Sequence, residues 1–304
     1  MVGSALVRRL RAKGYANLIL RTRQELDLTD QPAVHRFMEQ MEPDYVFLAA
    51  ARVGGILANN TRRGEFLYEN LIIEANVIHA ALNAGVRRLM FLGSSCVYPR
   101  DCPQPMKEAY LLSGPFENTN EPYAVAKVAG LKLCEAFNTQ YGTQYVSVMP
   151  TNLYGPNDNF DLSTSHVLPA LVRKAHLARQ QGAAAMTLWG SGAPRREFLH
   201  VDDLADACIL LMEMGVAEGV YNIGSGTEVT IRELADIVMR VVGFKGRLTF
   251  DPGKPDGTPR KLLDVSRVHA LGWRPRYDLE EGVRLTYRWC IENAVFDDAE
   301  AVHA

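Results

Sequence analysis

RLMFLGSSCVYP (88–99) and EPYAVAKVAGLKLCEAFNTQYGTQYVSVMP (121–150) carry the reading of the fold. Leu89–Leu92 is a short, nearly continuous apolar run that breaks at Gly93. Pro122–Tyr141 has helical spacing, and Tyr145–Met149 is a second apolar run. Strand, helix and strand, with each strand apolar on both faces, is the signature of a parallel sheet covered on two sides. Moving outward, runs at Asn17–Leu20 and Tyr45–Ala49 alternate with helical segments at Ser4–Lys13, Gln31–Met41 and Phe66–Ala84. From about Tyr154 the spacing loosens and Pro, Gly and Asn become common. The organisation reads as a sheet domain over 1–155 plus about 197–224. A smaller discontinuous α/β lobe covers about 156–196 and 225–290, and 291–304 is a tail that reads as frayed. A helix starting near Asp202 returns to the sheet domain, with Asp202 or Asp203 as its N-cap.

The 304 residues suffice for a large buried core, and 47% hydrophobic with 22% charged residues is an ordinary globular balance. The net charge of -2, from 33 basic and 35 acidic residues, gives no attraction to nucleic acid or an anionic membrane. No apolar run reaches the length of a membrane span, and the first twenty residues lack the apolar core of a signal peptide. Five cysteines with no CxxC pair argue for reduced thiols in a cytoplasmic compartment, against a disulfide framework or metal site.

Ligands of such sheets bind beyond the carboxyl ends of the strands. Arg21-Thr22-Arg23 follows Asn17–Leu20, where dinucleotide folds place an acidic residue for NAD or an arginine for the 2′-phosphate of NADP. Two guanidiniums favour NADP(H); the competing reading is a solvated surface pair. Ala49–Ala51 and Gly54-Gly55 allow close backbone approach beyond the next run. Met1-Val2-Gly3-Ser4-Ala5 reads as the end of a phosphate-binding glycine turn, with Gly3 allowing close helix–strand packing. The expectation is that the sequence starts inside that motif, through truncation or a misassigned start, without the strand before it.

Tyr123 and Lys127 form Y-x-x-x-K, which i, i+4 spacing places on one helix face. An ammonium one turn away favours the phenolate form, and Ser94 at a strand end adds a hydrogen bond to the same substrate oxygen. That trio suits protonation of a carbonyl oxygen while a nicotinamide delivers hydride to the carbon. Alone, Y-x-x-x-K also describes a surface pair.

With AAARVGGILANN (49–60), GSSCVYP (93–99), NEPYAVAKVAGLKLCE (120–135), MPTNLYGPNDNF (149–160), SHVLPAL (165–171), WGSGAPRREFLHVDD (189–203) and KPDGTPRKLLD (254–264), the chain resembles the extended short-chain dehydrogenase/reductases. Within them it is similar to the GDP-L-fucose synthase family. The resemblance spans nearly the whole chain and departs at the amino terminus. It implies a Rossmann-type doubly wound parallel sheet, NADP(H), and an oxidoreductase and epimerase. The implied reaction is NADPH-dependent epimerisation at C3 and C5 and reduction at C4 of GDP-4-keto-6-deoxy-D-mannose. Ser94, Tyr123 and Lys127 match the reductive trio. Cys96 and His166 match the family's acid–base pair, with Cys96 as base and His166 as acid preferred. By residue type alone Cys96 reads more often as apolar filler and His166 as a helix-start polar residue. Leu92, Lys127, Pro150, Thr151, Asn152, Leu153 and His166 carry over to the cofactor side. Lys174, Trp189, Arg196, Asp256 and Lys261 carry over to the GDP-sugar; Lys174 also reads as a solvated helix residue and Trp189 as core. Arg260 is basic without an assigned role. Family members pair through helices corresponding to Glu65–Ala84 and Pro122–Tyr141, which implies a homodimer. Two other functions fit the same residues in part: a redox-neutral nucleotide-sugar epimerase or dehydratase, and a non-catalytic sugar-nucleotide binder.

Overall fold

In the computed structural model, which describes residues 1–216, 219–253 and 256–297, the first part of the chain forms α1 (Val2–Ala12), α2 (Gln31–Met41), β1 (Tyr45–Leu48), α3 (Ile56–Thr61), α4 (Arg63–Asn83) and β2 (Arg88–Leu92). Then come α5 (Glu121–Tyr141), β3 (Gln144–Pro150), β4 (Asn152–Tyr154), α6 (Val167–Gln180), β5 (Ala185–Trp189), β6 (Arg195–His200) and α7 (Val201–Glu213). The chain continues through β7 (Gly219–Ile223), β8 (Glu228–Thr230), α8 (Ile231–Val242), β9 (Arg247–Asp251), β10 (Arg260–Lys261), α9 (Ser266–Ala270) and α10 (Leu279–Glu292).

The central sheet is parallel, in the order β1-β2-β3-β7, with Leu89 opposite Tyr145 and Val148 opposite Tyr221. Leu89, Met90 and Phe91 of β2 and Val146 and Val148 of β3 are fully buried, as apolar strands sandwiched by helices require. Helices α4 and α5 pack on each other and on this sheet. Local chemistry sets several helix starts: Asp30 accepts the Ala33 N–H at 3.0 Å, and Thr230 and Glu233 form a reciprocal capping box.

Asn17–Leu20 joins no ladder and is not a strand; Leu18 and Ile19 are half-buried. A four-residue extended run without a hydrogen-bonded neighbour has nothing to hold it in β geometry. Gly3 lies inside α1, where an added Cβ would meet nothing within 4 Å. The close packing expected of it is therefore not present: α1 instead packs on α7, through Arg8–Asp202 and Arg9–Asp206 contacts of 2.6 Å each. The N-cap of α7 is His200, one residue before Val201, and Asp202 and Asp203 sit in the first turn.

A second sheet, β10-β6-β4 with β8 antiparallel to β6, and a parallel β5–β9 pair build the rest. A second apolar cluster gathers Tyr154, Leu168, Leu171, Leu188, Phe198, Leu234, Val238 and Val283. Leu263, Val265, Val268 and Trp273, read from the sequence as part of the smaller lobe, pack into the first cluster instead. Val295 and Phe296 join the second cluster, so the tail is packed at its beginning, while 298–304 lies outside the described residues. Among the described residues no helix is long and apolar enough to cross a membrane, and no group of acidic, His and Cys side chains could hold a metal.

Candidate active site

At the carboxyl end of β2 the chain must pass close to β3. A Cβ at Gly93 would lie 2.5 Å from the Met149 side chain and 3.2 Å from the Val148 carbonyl oxygen, and the Gly93 N–H donates to that oxygen at 2.9 Å. This approach delivers Ser94, whose Oγ accepts the Cys96 N–H at 3.2 Å and caps the tight helical turn Ser95–Val97. Tyr123 lies in the first turn of α5 and Lys127 one turn later. Tyr123 and Ser94 share a hydrogen bond that favours the phenolate, against burial first and then the Cys96 and Glu74 charges, which together push the phenol well above its usual value. The Lys127 Nζ stands 5.9 Å from the Tyr123 ring centroid, 4.9 Å from the Phe91 ring and 2.9 Å from Glu74 Oε1.

The second group forms around Lys261. Parallel pairing of β10 with β6 sets Lys261 opposite Arg196, and its Nζ reaches to 3.7 Å from the Cys96 Sγ. His166 precedes α6, at the end of a loop in which Asp161 accepts the Ser163 and Thr164 N–H groups at 3.0 and 2.9 Å. Gly55 docks that loop beside the end of β1: its N–H donates to the Thr164 carbonyl at 3.2 Å, and a Cβ there would meet the Thr164 and Ser165 carbonyls at 3.2 and 3.3 Å. His166 keeps an open side to solvent, yet desolvation by surrounding protein, and secondly Lys261, lower its pKa. Cys96, His166 and Lys261 thus form one electrostatic unit beside Ser94, Tyr123 and Lys127.

Leu92 is buried at the end of β2, and Pro150–Leu153 runs from β3 into β4. Thr151 Oγ1 and Asn152 Nδ2 both donate to the Glu197 carbonyl, at 3.2 and 2.8 Å. Arg21 and Arg23 are exposed; Arg21 donates to the Leu20 carbonyl at 2.7 Å and lies 5.2 Å from the Phe37 ring centroid. Two accessible guanidiniums with no carboxylate inside the triplet suit a phosphate monoester, so this donor set fits NADP(H).

The proposed GDP-sugar residues form a chain of neighbours, Lys174 with Trp189, Asp256 behind the turn after Trp189, Arg196 near Asp256, and Lys261 opposite Arg196 on the paired strands. Trp189 is 60% exposed, which removes the core reading, and Lys174 Nζ lies 5.3 Å from its ring centroid. Both line an open groove of about 340 Å³ with Ala178, Ala183 and Thr187. Arg196 is half-buried, with a pKa lowered by burial and raised by Asp256. Asp256 itself accepts the Ser191 N–H and hydroxyl, at 2.7 Å each, and so braces the turn after Trp189. Arg260 is committed to Glu228, at 3.0 and 2.8 Å, beside Arg195.

Two buried carboxylates escaped the sequence reading. Glu197 accepts the Gly226 N–H at 2.7 Å and the Leu263 N–H at 3.0 Å, tying three segments behind the site. Glu74 pairs with Lys127. Its signal lay in the sequence: Phe66, Asn70, Glu74, Val77 and Ala81 fall at helical spacing and are all buried, so a carboxylate sits on the apolar stripe of α4.

Residues 1–224 match the NAD dependent epimerase/dehydratase family. The chain is 56% identical to the GDP-L-fucose synthase of Escherichia coli (strain K12), over 96% of this chain and 94% of that protein. The chain belongs to this family, in its GDP-L-fucose synthase group. Two solved structures from the family's range share its fold. One is the GDP-mannoheptose C4 reductase MlghC from Campylobacter jejuni with NADP bound, 40% identical with a TM-score of 0.87, covering 95% of this chain and 94% of that one. The other is a GDP-L-fucose synthetase from Naegleria fowleri bound to NADP, 26% identical with a TM-score of 0.88, covering 97% and 92%.

Proposed function

We propose that this chain is an NADP(H)-dependent oxidoreductase and epimerase that converts GDP-4-keto-6-deoxy-D-mannose to GDP-L-fucose, by epimerisation at C3 and C5 and reduction at C4. The observation that carries this reading is the proximity of two proton-transfer groups, Ser94-Tyr123-Lys127 and Cys96-Lys261-His166, in a chain 56% identical to a GDP-L-fucose synthase. Bound NADPH supplies hydride to C4. The protein's own residues move the protons.

A C4 ketone acidifies the C–H bonds at C3 and C5, so a base on one face and an acid on the other suffice to invert each carbon. The Lys261 ammonium beside the Cys96 sulfur favours negative charge there, which suits Cys96 as the base. His166, as the acid, needs a proton that desolvation and Lys261 both disfavour in the free protein. The substrate's diphosphate restores it by the same Coulombic route with the opposite sign. Tyr123, hydrogen-bonded to Ser94, then protonates the C4 oxygen as hydride arrives, and the Lys127 ammonium stabilises the phenolate left behind.

Arg21 and Arg23 are assigned to the 2′-phosphate; Leu92 and Pro150–Leu153 to the nicotinamide side; Lys174, Trp189 and Arg196 to the GDP-sugar. Two lobes around the two apolar clusters, and a homodimer built on α4 and α5, complete the reading. The dimer is supported by Tyr68, Val125 and Tyr141, which leave 64%, 39% and 54% of their surfaces exposed on those helices. Incubating the protein with NADPH and the 4-keto sugar tests the function. Oxidation of NADPH with a fucose-configured product by NMR is expected; reduced product of unchanged C3 and C5 configuration overturns the epimerase half. Light scattering on the purified chain tests the dimer.

A further inference from the structure

We propose that Glu74 is a positioning residue for the reduction: its carboxylate keeps Lys127 charged behind Tyr123 and so sets the pH range over which the chain reduces its ketone. This rests on the functional reading above.

Glu74 and Lys127 face each other across the α4–α5 contact at 2.9 Å, and each side chain is 2% exposed. The other groups recorded around the Lys127 ammonium are the Phe91 and Tyr123 rings. Phe91 attracts the cation through its face and carries no charge, and Tyr123 becomes an anion only once it has given up its own proton. An ammonium buried without an anion gives up its proton readily, because desolvation penalises only its charged form. The fold also makes room for the carboxylate. Gly130 lies in the middle of α5, and a Cβ there would come 2.6 Å from Glu74 Oε2 and 2.6 Å from Phe91 Cζ. A helix-interior glycine is unfavourable by itself, and here it admits the Glu74 carboxylate to the helix–helix seam.

The arrangement has a cost for the chemistry. The Glu74 charge raises the Tyr123 pKa, working against the ammonium it holds. Burial raises the Glu74 pKa and the Lys127 ammonium opposes that rise, so the pair holds its charges together at the expense of some phenolate stabilisation. The titratable groups facing the pair are Tyr123 and Cys134 on α5 and Cys96 beyond β2. Burial, then Glu74, raises the Cys134 thiol to about 12, so it does not titrate near neutrality.

The test is Glu74→Gln, which preserves shape and removes charge. Steady-state kcat and KM for the ketone are measured from mildly acid to alkaline pH, with solvent deuterium exchange at C3 and C5 as an independent index of a folded, substrate-binding protein. The basic limb of kcat should move down, by up to about 3–5 pH units, the reach of burial on an unpaired amine. At the acid end kcat should equal or exceed wild type, while KM and exchange stay near wild type, and Glu74→Asp should recover part of the lost range. A kcat profile identical to wild type, or one lowered equally at every pH, overturns the proposal. If Glu74→Gln does not fold, Glu74→Asp is read in its place; an unmoved basic limb there also overturns it. In a Lys127→Met background only the direct charge of Glu74 on Tyr123 remains, so Glu74→Gln should not lower the residual kcat; a further loss overturns the proposal. Absence of NADPH oxidation by the wild-type protein would count against the parent reading, whereas an active wild type with an unmoved variant profile counts against Glu74 alone.

Discussion

Acid should unfold this protein through His200, and the size of the effect follows from its setting. The ring is 2% exposed, packed 5.6 Å from Tyr154 and 5.0 Å from Tyr277 by ring centroids. Its Nδ1 accepts the Asp202 N–H at 3.3 Å and caps α7, so it carries no proton. Burial first, with Arg8 adding to it and Asp202 opposing, brings the pKa from 6.5 down to about 4. A depressed folded pKa means stability that is complete above about pH 6.5 and is lost as pH falls toward about 4. The full drop is worth about 3 kcal/mol as an upper value. That is a large part of the usual net stability of a domain. In His200→Asn an amide oxygen can keep the cap but does not titrate. Urea unfolding at about pH 7.5 and about pH 4.5 should show wild type losing about 2–3 kcal/mol more than the variant between the two conditions. The variant starts lower at both, because the ring's packing is gone. An equal loss in both proteins would refute the assignment of the acid transition to His200.

Three further outcomes concern the chemistry. Replacing Arg21 and Arg23 together by alanine should raise KM for NADPH about 10–100-fold with little change for NADH, the scale of charge-assisted contacts to one phosphate; equal losses with both cofactors would remove the 2′-phosphate assignment. Tyr123→Phe should reduce C4 reduction by at least about 100-fold while deuterium exchange at C3 and C5 continues, because the ketone alone acidifies those carbons; loss of exchange in a folded variant contradicts the division of labour. Cys96→Ser should keep the fold, remove exchange and leave slow reduction of the unepimerised ketone, and a normal fucose-configured product at wild-type rate would return Cys96 to packing.

The parallel sheet was legible because β1, β2 and β3 are apolar runs flanked by helical spacing, and that pattern survives without knowledge of neighbours. Asn17–Leu20 misled because an apolar run states only that a segment can be a strand; whether it becomes one depends on a ladder partner. The α7 cap was misread for a related reason. Asp202 and Asp203 are better caps by propensity than His200, but β6 ends by burying His200 where its ring nitrogen meets the Asp202 N–H. Ser94, Tyr123 and Lys127 were readable from spacing along one strand end and one helix face. The Cys96–Lys261 contact joins residues 165 apart and was invisible to spacing. Spacing was equally silent on the partners of Asp256 and Arg260, which the fold sets against Ser191 and Glu228.

The two lysines of the site are treated differently by the fold, and the difference matches the chemistry proposed for each. Lys127 is buried against a carboxylate, whereas Lys261 is half-exposed, and among the described residues no carboxylate stands within ion-pair distance of it. Proton removal beside a C4 ketone moves negative charge from the Cys96 thiolate, which becomes a thiol, to the C4 oxygen of the enolate. A free ammonium beside Cys96 favours the thiolate that starts this step, and loses that advantage if a protein carboxylate neutralises it. The C4 oxygen is the atom that Ser94 and Tyr123 would address in reduction, so the same two hydroxyls serve the enolate first and the alkoxide later. Tyr123→Phe still leaves Ser94 on the enolate, which is why exchange should slow but continue while reduction, which needs the tyrosine's proton, fails. On the function proposed above, one oxygen served twice by the same donors would let the two half-reactions share Ser94 and Tyr123.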